Sequence, residues 1–238
     1  MKVPKGEEAI NHTSPIVEVP IDKCRDWQGF SYKKEGWHYL CETMKQLDST
    51  KRLAYKDSLL YQFYMHYQPA SLMECLFYQG AKNQKLSPKG WPPLPWKRTM
   101  KIKEGNHQHF GPNQYRFGEI ELRRIHTVYK ALKENGYRPA MYKDGYIRGY
   151  FLKKPGEYRF IISAGQHRIA ALAVMNQKEI RVKVQKGHNR MVTMKDIDSW
   201  PQVENGIYDK ETARRIFQLY FKSNGREKAK AIGLLPRK

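Results

Sequence analysis

One four-residue segment of the chain combines the residue types that bind and transfer phosphate groups. It reads Gly165-Gln166-His167-Arg168. An arginine can make two parallel hydrogen bonds to a phosphate, and a histidine can donate a hydrogen bond or move a proton near neutral pH. The glycine lets a ligand come close to the backbone. This segment, called the GQHR motif below, predicts a site for an anionic ligand.

The GQHR motif lies between a run that favours a β-strand and a run that favours an α-helix. Residues 157–163 are rich in aromatic and β-branched side chains, and residues 168–176 are rich in alanine and leucine. The first turn of a helix offers unpaired backbone N–H groups and the positive end of the helix dipole. Phosphate binding by the motif is one interpretation. The other is an ordinary helix N-terminus in which Arg168 pairs with a carboxylate.

The elements around the motif follow in a definite order. Apolar residues from Leu122 to Leu132 recur at helical spacing, and Asn135-Gly136 ends that helix. Residues 146–152 and 157–163 predict a β-hairpin, since 153–156 contain the turn residues proline and glycine. The helix at 168–176 and a strand at 180–184 come next. The predicted order is helix, strand, strand, helix, strand.

This order, with Gly-x-His-Arg opening an alanine-rich helix, resembles the ParB/sulfiredoxin superfamily over roughly residues 105–186. ParB proteins have Gly-x-Arg-Arg at this junction, sulfiredoxins have Gly-Cys-His-Arg, and the free serine kinases have Gly-His-His-Arg. The resemblance implies an α+β fold, with a small mixed sheet and flanking helices. It also implies binding of a nucleoside tri- or diphosphate (ATP, ADP or CTP) with Mg²⁺. The reaction would be phosphoryl transfer to a small hydroxylated metabolite, or nucleotide hydrolysis. The phosphate contacts would come from Gly165, Gln166, His167 and Arg168.

The chain departs from the superfamily at informative positions. Gln166 occupies the sulfiredoxin cysteine position, and a carboxamide cannot act as a thiolate nucleophile, which argues against sulfinic acid reduction. His167 replaces the first ParB arginine. After residue 186 we find one clear helix, at 209–221 with Asp209 as its N-cap, which is too little for the DNA-binding and dimerisation regions of ParB. The resemblance therefore implies nucleotide binding and not partition.

In the serine kinases a glutamate upstream acts as the catalytic base. Glu119 and Glu121 lie near the corresponding place, as do His107 and His109, and a carboxylate or imidazole there could deprotonate a hydroxyl near the γ-phosphate. We assign Glu119 and His167 to catalysis. The alternative is that Glu119 only favours a helix N-terminus electrostatically. His107 and His109 suggest a metal site that His167 would complete, but no fixed third ligand is visible. We therefore predict no metal site built by the protein.

The rest of the chain is divided into two flanking regions. We expect a largely helical and irregular N-terminal extension at residues 1–100, a ParB-like domain at residues 101–190, and a helix with a basic tail at residues 191–238. Within the extension, helices are predicted at 37–45, at 58–67 with Asp57 as the N-cap, and at 71–78. A loop rich in proline and tryptophan follows at 87–96.

Composition limits the partners. The chain has 44 Lys and Arg against 23 Asp and Glu, a net charge of +21, which favours nucleotides, nucleic acid or an anionic membrane surface. Two other functions therefore stay open, a DNA-binding or DNA-cleaving protein and a catalytically silent domain with a regulatory anion pocket. Three scattered cysteines and the absence of long apolar runs predict a cytoplasmic protein without disulfides or a membrane span.

Overall fold

A computed structural model describes residues 3–50, 52–76, 93–99, 105–141, 143, 145–185 and 190–236. The described residues form one six-stranded sheet, in the order β1-β5-β3-β4-β2, with β6 paired to β3. The strands are β1 (Ile16–Pro20), β2 (Cys24–Arg25), β3 (Ile147–Lys154), β4 (Glu157–Ala164), β5 (Glu179–Val184) and β6 (Met191–Thr193). Strand β3 is antiparallel to β4 and parallel to β5, so the sheet is mixed. The predicted α+β class is confirmed.

Helices lie along both faces of this sheet. They are α1 (Gly6–Asn11), α2 (Tyr39–Ser49), α3 (Leu59–His66), α4 (Leu72–Leu76), α5 (Tyr115–Asn135), α6 (Gln166–Val174), α7 (Pro201–Glu204), α8 (Lys210–Lys222) and α9 (Arg226–Ala231). The elements α5, β3, β4, α6 and β5 follow in the order that the sequence predicts. Asp209 caps α8 as expected, since its side chain accepts a hydrogen bond from the backbone N–H of Thr212.

The central strands are apolar on both sides because each side covers a separate core. Phe151 and Phe160 belong to a first core together with residues of α2, α3, α5 and α6. Tyr150 and Ile161, which alternate with them, belong to a second core with Trp96, Trp200 and residues of α8. Side chains in a strand point alternately to opposite faces, so β3 and β4 support helices on both sides. Helix α6 packs in the first core, against β3.

The N-terminal region contributes to the same sheet and the same core. The sequence predicted no strand before residue 100, but β1 pairs with β5 and β2 pairs with β4. Residues of α2 and α3 pack in the first core beside those of α5 and α6. The predicted helix at 71–78 is described only as far as 76, and residues 87–92 of the predicted loop lie outside the described residues.

The structure defines where three of the predicted helices begin. Asp57 belongs to a 3₁₀ turn, and the N-cap of α3 is Ser58, whose hydroxyl accepts a hydrogen bond from Tyr61 N. Helix α5 begins at Tyr115, so Glu119 lies beyond its first turn and does not act on the N-terminus as the alternative interpretation proposed. Helix α6 begins at Gln166, which places His167 and Arg168 in its first turn.

The described residues include no candidate membrane span and no disulfide. No helix among the described residues is long and apolar enough to cross a membrane. The three cysteines, which all fall in described segments, are buried and unpaired.

Candidate functional site

Strand β4 turns into α6 through a glycine that no other residue could replace without strain. Gly165 has φ 92° and ψ 28°, in the left-handed region that favours glycine. A Cβ at this position would lie 3.0 Å from Arg168 Nη2 and 3.0 Å from Ile147 Cγ1. The small residue therefore brings the end of the strand, the start of β3 and the arginine of the GQHR motif close together.

The first turn of α6 presents its backbone N–H groups without helical partners. Its first hydrogen bond of α-helical spacing runs from Ile169 N to Gly165 O, at 3.1 Å. The N–H groups of Gln166, His167 and Arg168 precede that bond, as at any helix N-terminus. The junction is thus able to receive an anion through its backbone.

A pocket of about 750 Å³ opens at this junction. Five cationic side chains line it, and its lining among the described residues includes no carboxylate. They are Arg124, Lys143, Arg148, Arg168 and Lys183. They come from α5, the segment before β3, β3 itself, α6 and β5, so the fold gathers them from distant parts of the sequence. Such a concentration of positive charge attracts ligands with several negative charges.

The contacts of Arg168 differ from those of the alternative interpretation, in which it pairs with a carboxylate. Its Nη1 donates a hydrogen bond to the backbone carbonyl oxygen of Gly145. Among the described residues, Arg168 has no ion pair with a carboxylate, while it lines the pocket. The backbone contact fixes the guanidinium and leaves further N–H donors for a ligand.

Gln166 has a different position from its neighbours in the motif. Its side chain is buried, its Nε2 donates to Ile162 O at 3.0 Å, and its Oε1 accepts from the hydroxyl of Tyr32. These contacts tie the junction to β4 and to the N-terminal region. The carboxamide is therefore committed to the scaffold, and Gln166 can offer a ligand its backbone N–H.

His167 and Glu121 form a buried pair at the edge of the pocket. His167 Nε2 lies 2.7 Å from Glu121 Oε1, although the N–H direction is poorly aligned for a hydrogen bond. The same nitrogen lies 3.1 Å from Gln108 Nε2. A ring nitrogen donates when protonated and accepts when it is not. When Nε2 carries no proton it accepts a hydrogen bond from the Gln108 amide, and the Glu121 carboxylate lies beside the same nitrogen.

Two tyrosines hold Gln108 in place beside His167. The backbone carbonyl oxygen of Gln108 accepts hydrogen bonds from Tyr39 at 3.1 Å and from Tyr64 at 2.8 Å. Burial raises the pKa of both phenols well above the usual range, so they stay protonated donors near neutral pH. The N-terminal region thus positions the amide that contacts the histidine of the motif.

The structure does not bring Glu119 to the site. Glu119 is exposed on α5 and does not line the pocket, whereas Glu121 is 3% exposed and contacts His167. Residues advance about 100° per position around a helix. Relative to the buried Ile125, Glu121 lies within the apolar face and Glu119 lies well outside it. The angular position of each glutamate relative to the apolar face of α5 is the sequence signal that favours Glu121 over Glu119.

His107 and His109 do not form a metal site with His167. Among the described residues no group of three or more His, Cys, Asp or Glu side chains could hold a metal ion. Desolvation lowers the pKa of His107 to about 4 and that of His109 to about 3, so both imidazoles are neutral near pH 7. His109 packs edge-on against Trp27, with ring centroids 5.7 Å apart, and lines the pocket.

Comparison with family models, curated proteins and solved structures found no match for this chain.

Proposed function

We propose that the chain binds the phosphate groups of a nucleotide such as ATP, ADP or CTP at the N-terminus of α6. The observation that carries this proposal is the convergence of five cationic side chains and the first turn of a helix on one pocket. Helix N-termini and arginine side chains both favour phosphate oxygens, and their effects add in a partly enclosed site. The resemblance of the GQHR motif to the ParB/sulfiredoxin superfamily supports the same ligand.

The reaction that fits this site is phosphoryl transfer from the nucleotide to a small hydroxylated metabolite, or to water. Such reactions depend mainly on positioning and on stabilisation of charge, which the cationic pocket supplies. Glu121 and His167 are the groups able to take a proton from an attacking hydroxyl. The described residues offer no carboxylate cluster for a divalent cation, so Mg²⁺ would be held by the phosphate oxygens of the nucleotide and would neutralise part of their charge.

Thermal unfolding in the presence of nucleotides tests the binding proposal. A nucleotide at 100 times its Kd stabilises the folded state by about 2.7 kcal/mol. We expect ATP, ADP or CTP with Mg²⁺ to raise the Tm of the wild-type chain, and Arg168→Ala to abolish the shift. Arg123→Ala is the matched control, because Arg123 is exposed on α5 outside the pocket. Millimolar nucleotides that leave the wild-type Tm unchanged would contradict the proposal.

Nucleic acid is the second candidate ligand. The net charge of +21 and the exposed side chains of Arg124, Arg148 and Lys183 at the pocket favour a polyanion with a continuous backbone. Release of counterions makes such binding fall steeply as salt concentration rises. We expect this candidate to show measurable binding to duplex or single-stranded DNA at low salt, with a steep salt dependence. Absence of DNA binding at low salt would exclude it.

A further inference from the structure

The pocket contains an aromatic side chain that phosphate binding does not require. Tyr146 lines the pocket and is half-buried. Among the described residues its hydroxyl has no hydrogen-bond partner, and its ring makes no aromatic or cation contact. Val128 of α5 adds aliphatic surface to the same lining. The pocket therefore combines cationic walls with an apolar part.

The backbone on both sides of Tyr146 is fixed. The carbonyl oxygen of Gly145 accepts the hydrogen bond from the guanidinium of Arg168, and Ile147 N donates to the hydroxyl of Tyr137 at 2.9 Å. Gly145, the residue before Tyr146, therefore connects Tyr146 to Arg168, the arginine of the proposed phosphate site. A ring on a fixed backbone loses little freedom when a planar ligand lies against it.

We propose that the ring of Tyr146 stacks on the base of the bound nucleotide, so that the pocket recognises the nucleoside as well as the phosphates. This inference rests on the proposed function. The pocket volume of about 750 Å³ fits a whole small ligand, since pockets of that kind measure roughly 300–1,000 Å³. Every base presents a π-face, so stacking strengthens binding without selecting one base.

Comparison of ATP with tripolyphosphate isolates the contribution of the nucleoside. Kd values for both ligands are measured by calorimetry on the wild-type chain and on the Tyr146→Ala, Tyr146→Phe and Tyr115→Ala variants. We expect wild type to bind ATP at least about tenfold more tightly than tripolyphosphate, and Tyr146→Ala to remove that preference while its affinity for tripolyphosphate stays close to wild type. Tyr146→Phe keeps the ring and should keep the preference. Tyr115, 51% exposed and outside the pocket lining, is the control.

The outcomes separate this inference from the proposed function. Equal affinity of the wild-type chain for ATP and tripolyphosphate, or an unchanged preference in Tyr146→Ala, would overturn the nucleoside subsite and leave the phosphate site standing. Failure of both ligands to bind the wild-type chain would overturn the proposed function, and the subsite with it. Retained tripolyphosphate binding by Tyr146→Ala also shows that this variant is folded.

Discussion

Glu119 and Glu121 are two positions apart in the sequence, but their side chains have different environments in the structure. Glu121 is buried against His167, and Glu119 is exposed to solvent. A general base must lie within hydrogen-bond reach of the proton it takes, or reach it through one water or a neighbouring group. At the level of the residue, Glu121 lies beside the histidine of the GQHR motif and Glu119 does not, so Glu121 is the better candidate for a base.

The two glutamates form a matched pair for a test of phosphoryl transfer. We expect Glu121→Gln to lower kcat by about 10²–10⁴-fold, the usual contribution of acid–base catalysis, with little change in nucleotide affinity. Glu119→Gln should leave both unchanged. The assay measures kcat as the rate at which the γ-phosphate of ATP is transferred to a set of hydroxylated acceptors or released in water. The nucleotide-induced Tm shift measures binding.

Two outcomes of that assay would contradict the catalytic assignment. Equal rates for Glu121→Gln and the wild-type chain would exclude Glu121 as a proton acceptor. Nucleotide binding by the wild-type chain without turnover for any acceptor would favour the regulatory anion pocket, the catalytically silent alternative that the sequence left open.

At the scale of the element, the junction between β4 and α6 could be predicted because its signals are local. A β-rich run, a glycine and an alanine-rich run stand next to one another, and each determines the backbone within a few residues. The partners of the junction could not be predicted in the same way. Lys183 reaches the pocket because β5 pairs in parallel with β3, opposite Arg148, and that pairing depends on the whole sheet.

The short strand β1 has only a weak signal in the sequence. Val17 and Val19 are buried while Ile16, Glu18 and Pro20 are half-buried, which is the alternation expected of a strand. The run has only five residues and ends in a proline, so it competes poorly with a loop assignment. Its partner β5 begins at Glu179, far along the chain, and only tertiary pairing makes the strand stable.

The positioning of His167 also depends on contacts over long separations. Gln108 is held by Tyr39 of α2 and by Tyr64 of α3, and no local pattern connects these residues. The sequence predicts helices at 37–45 and 58–67, close to the observed α2 and α3. It also predicts that residues 1–100 form an extension. The structure shows helices of that region against α5 and α6, where they support the site.

On the largest scale, two buried groups of opposite charge, Asp26 and Lys228, bring an early and a late part of the chain under one electrostatic influence. Asp26 follows β2, and Lys228 lies on α9, where its Nζ donates to the backbone carbonyl oxygen of Gln28. Burial raises the pKa of Asp26 to about 7, opposed by the positive charge of Lys228, and burial lowers the pKa of Lys228 to about 8. His38 lies 3.6 Å from Asp26, but burial lowers its pKa well below 6.5, so it stays neutral.

These pKa shifts predict how stability depends on pH. Because the pKa of Asp26 is higher in the folded state than its ordinary value of 3.8, ionisation of Asp26 opposes folding, and its contribution to stability falls as pH rises from about 4 to about 7. Because the pKa of Lys228 is lowered from 10.5, its protonation opposes folding, and this cost disappears as pH rises from about 8 to about 10.5. Between pH 7 and 8 the ionisation of Asp26 and that of Lys228 depend on each other, because the charge of each group shifts the pKa of the other.

Replacement of one member of the pair should therefore destabilise the chain most near pH 8. We expect Lys228→Met to lower the free energy of unfolding by about 3 kcal/mol at pH 8, the order of the cost of leaving a buried charge uncompensated. The loss should be smaller at pH 5, where Asp26 is protonated in the folded state and needs no cation. The double variant Asp26→Asn with Lys228→Met should recover part of the loss at pH 8, since no isolated charge is then buried. Urea unfolding of the three variants and wild type at both pH values measures these differences. Equal losses at pH 5 and pH 8, with no recovery in the double variant, would show that Lys228 acts only through its backbone contacts and not through the charge of Asp26.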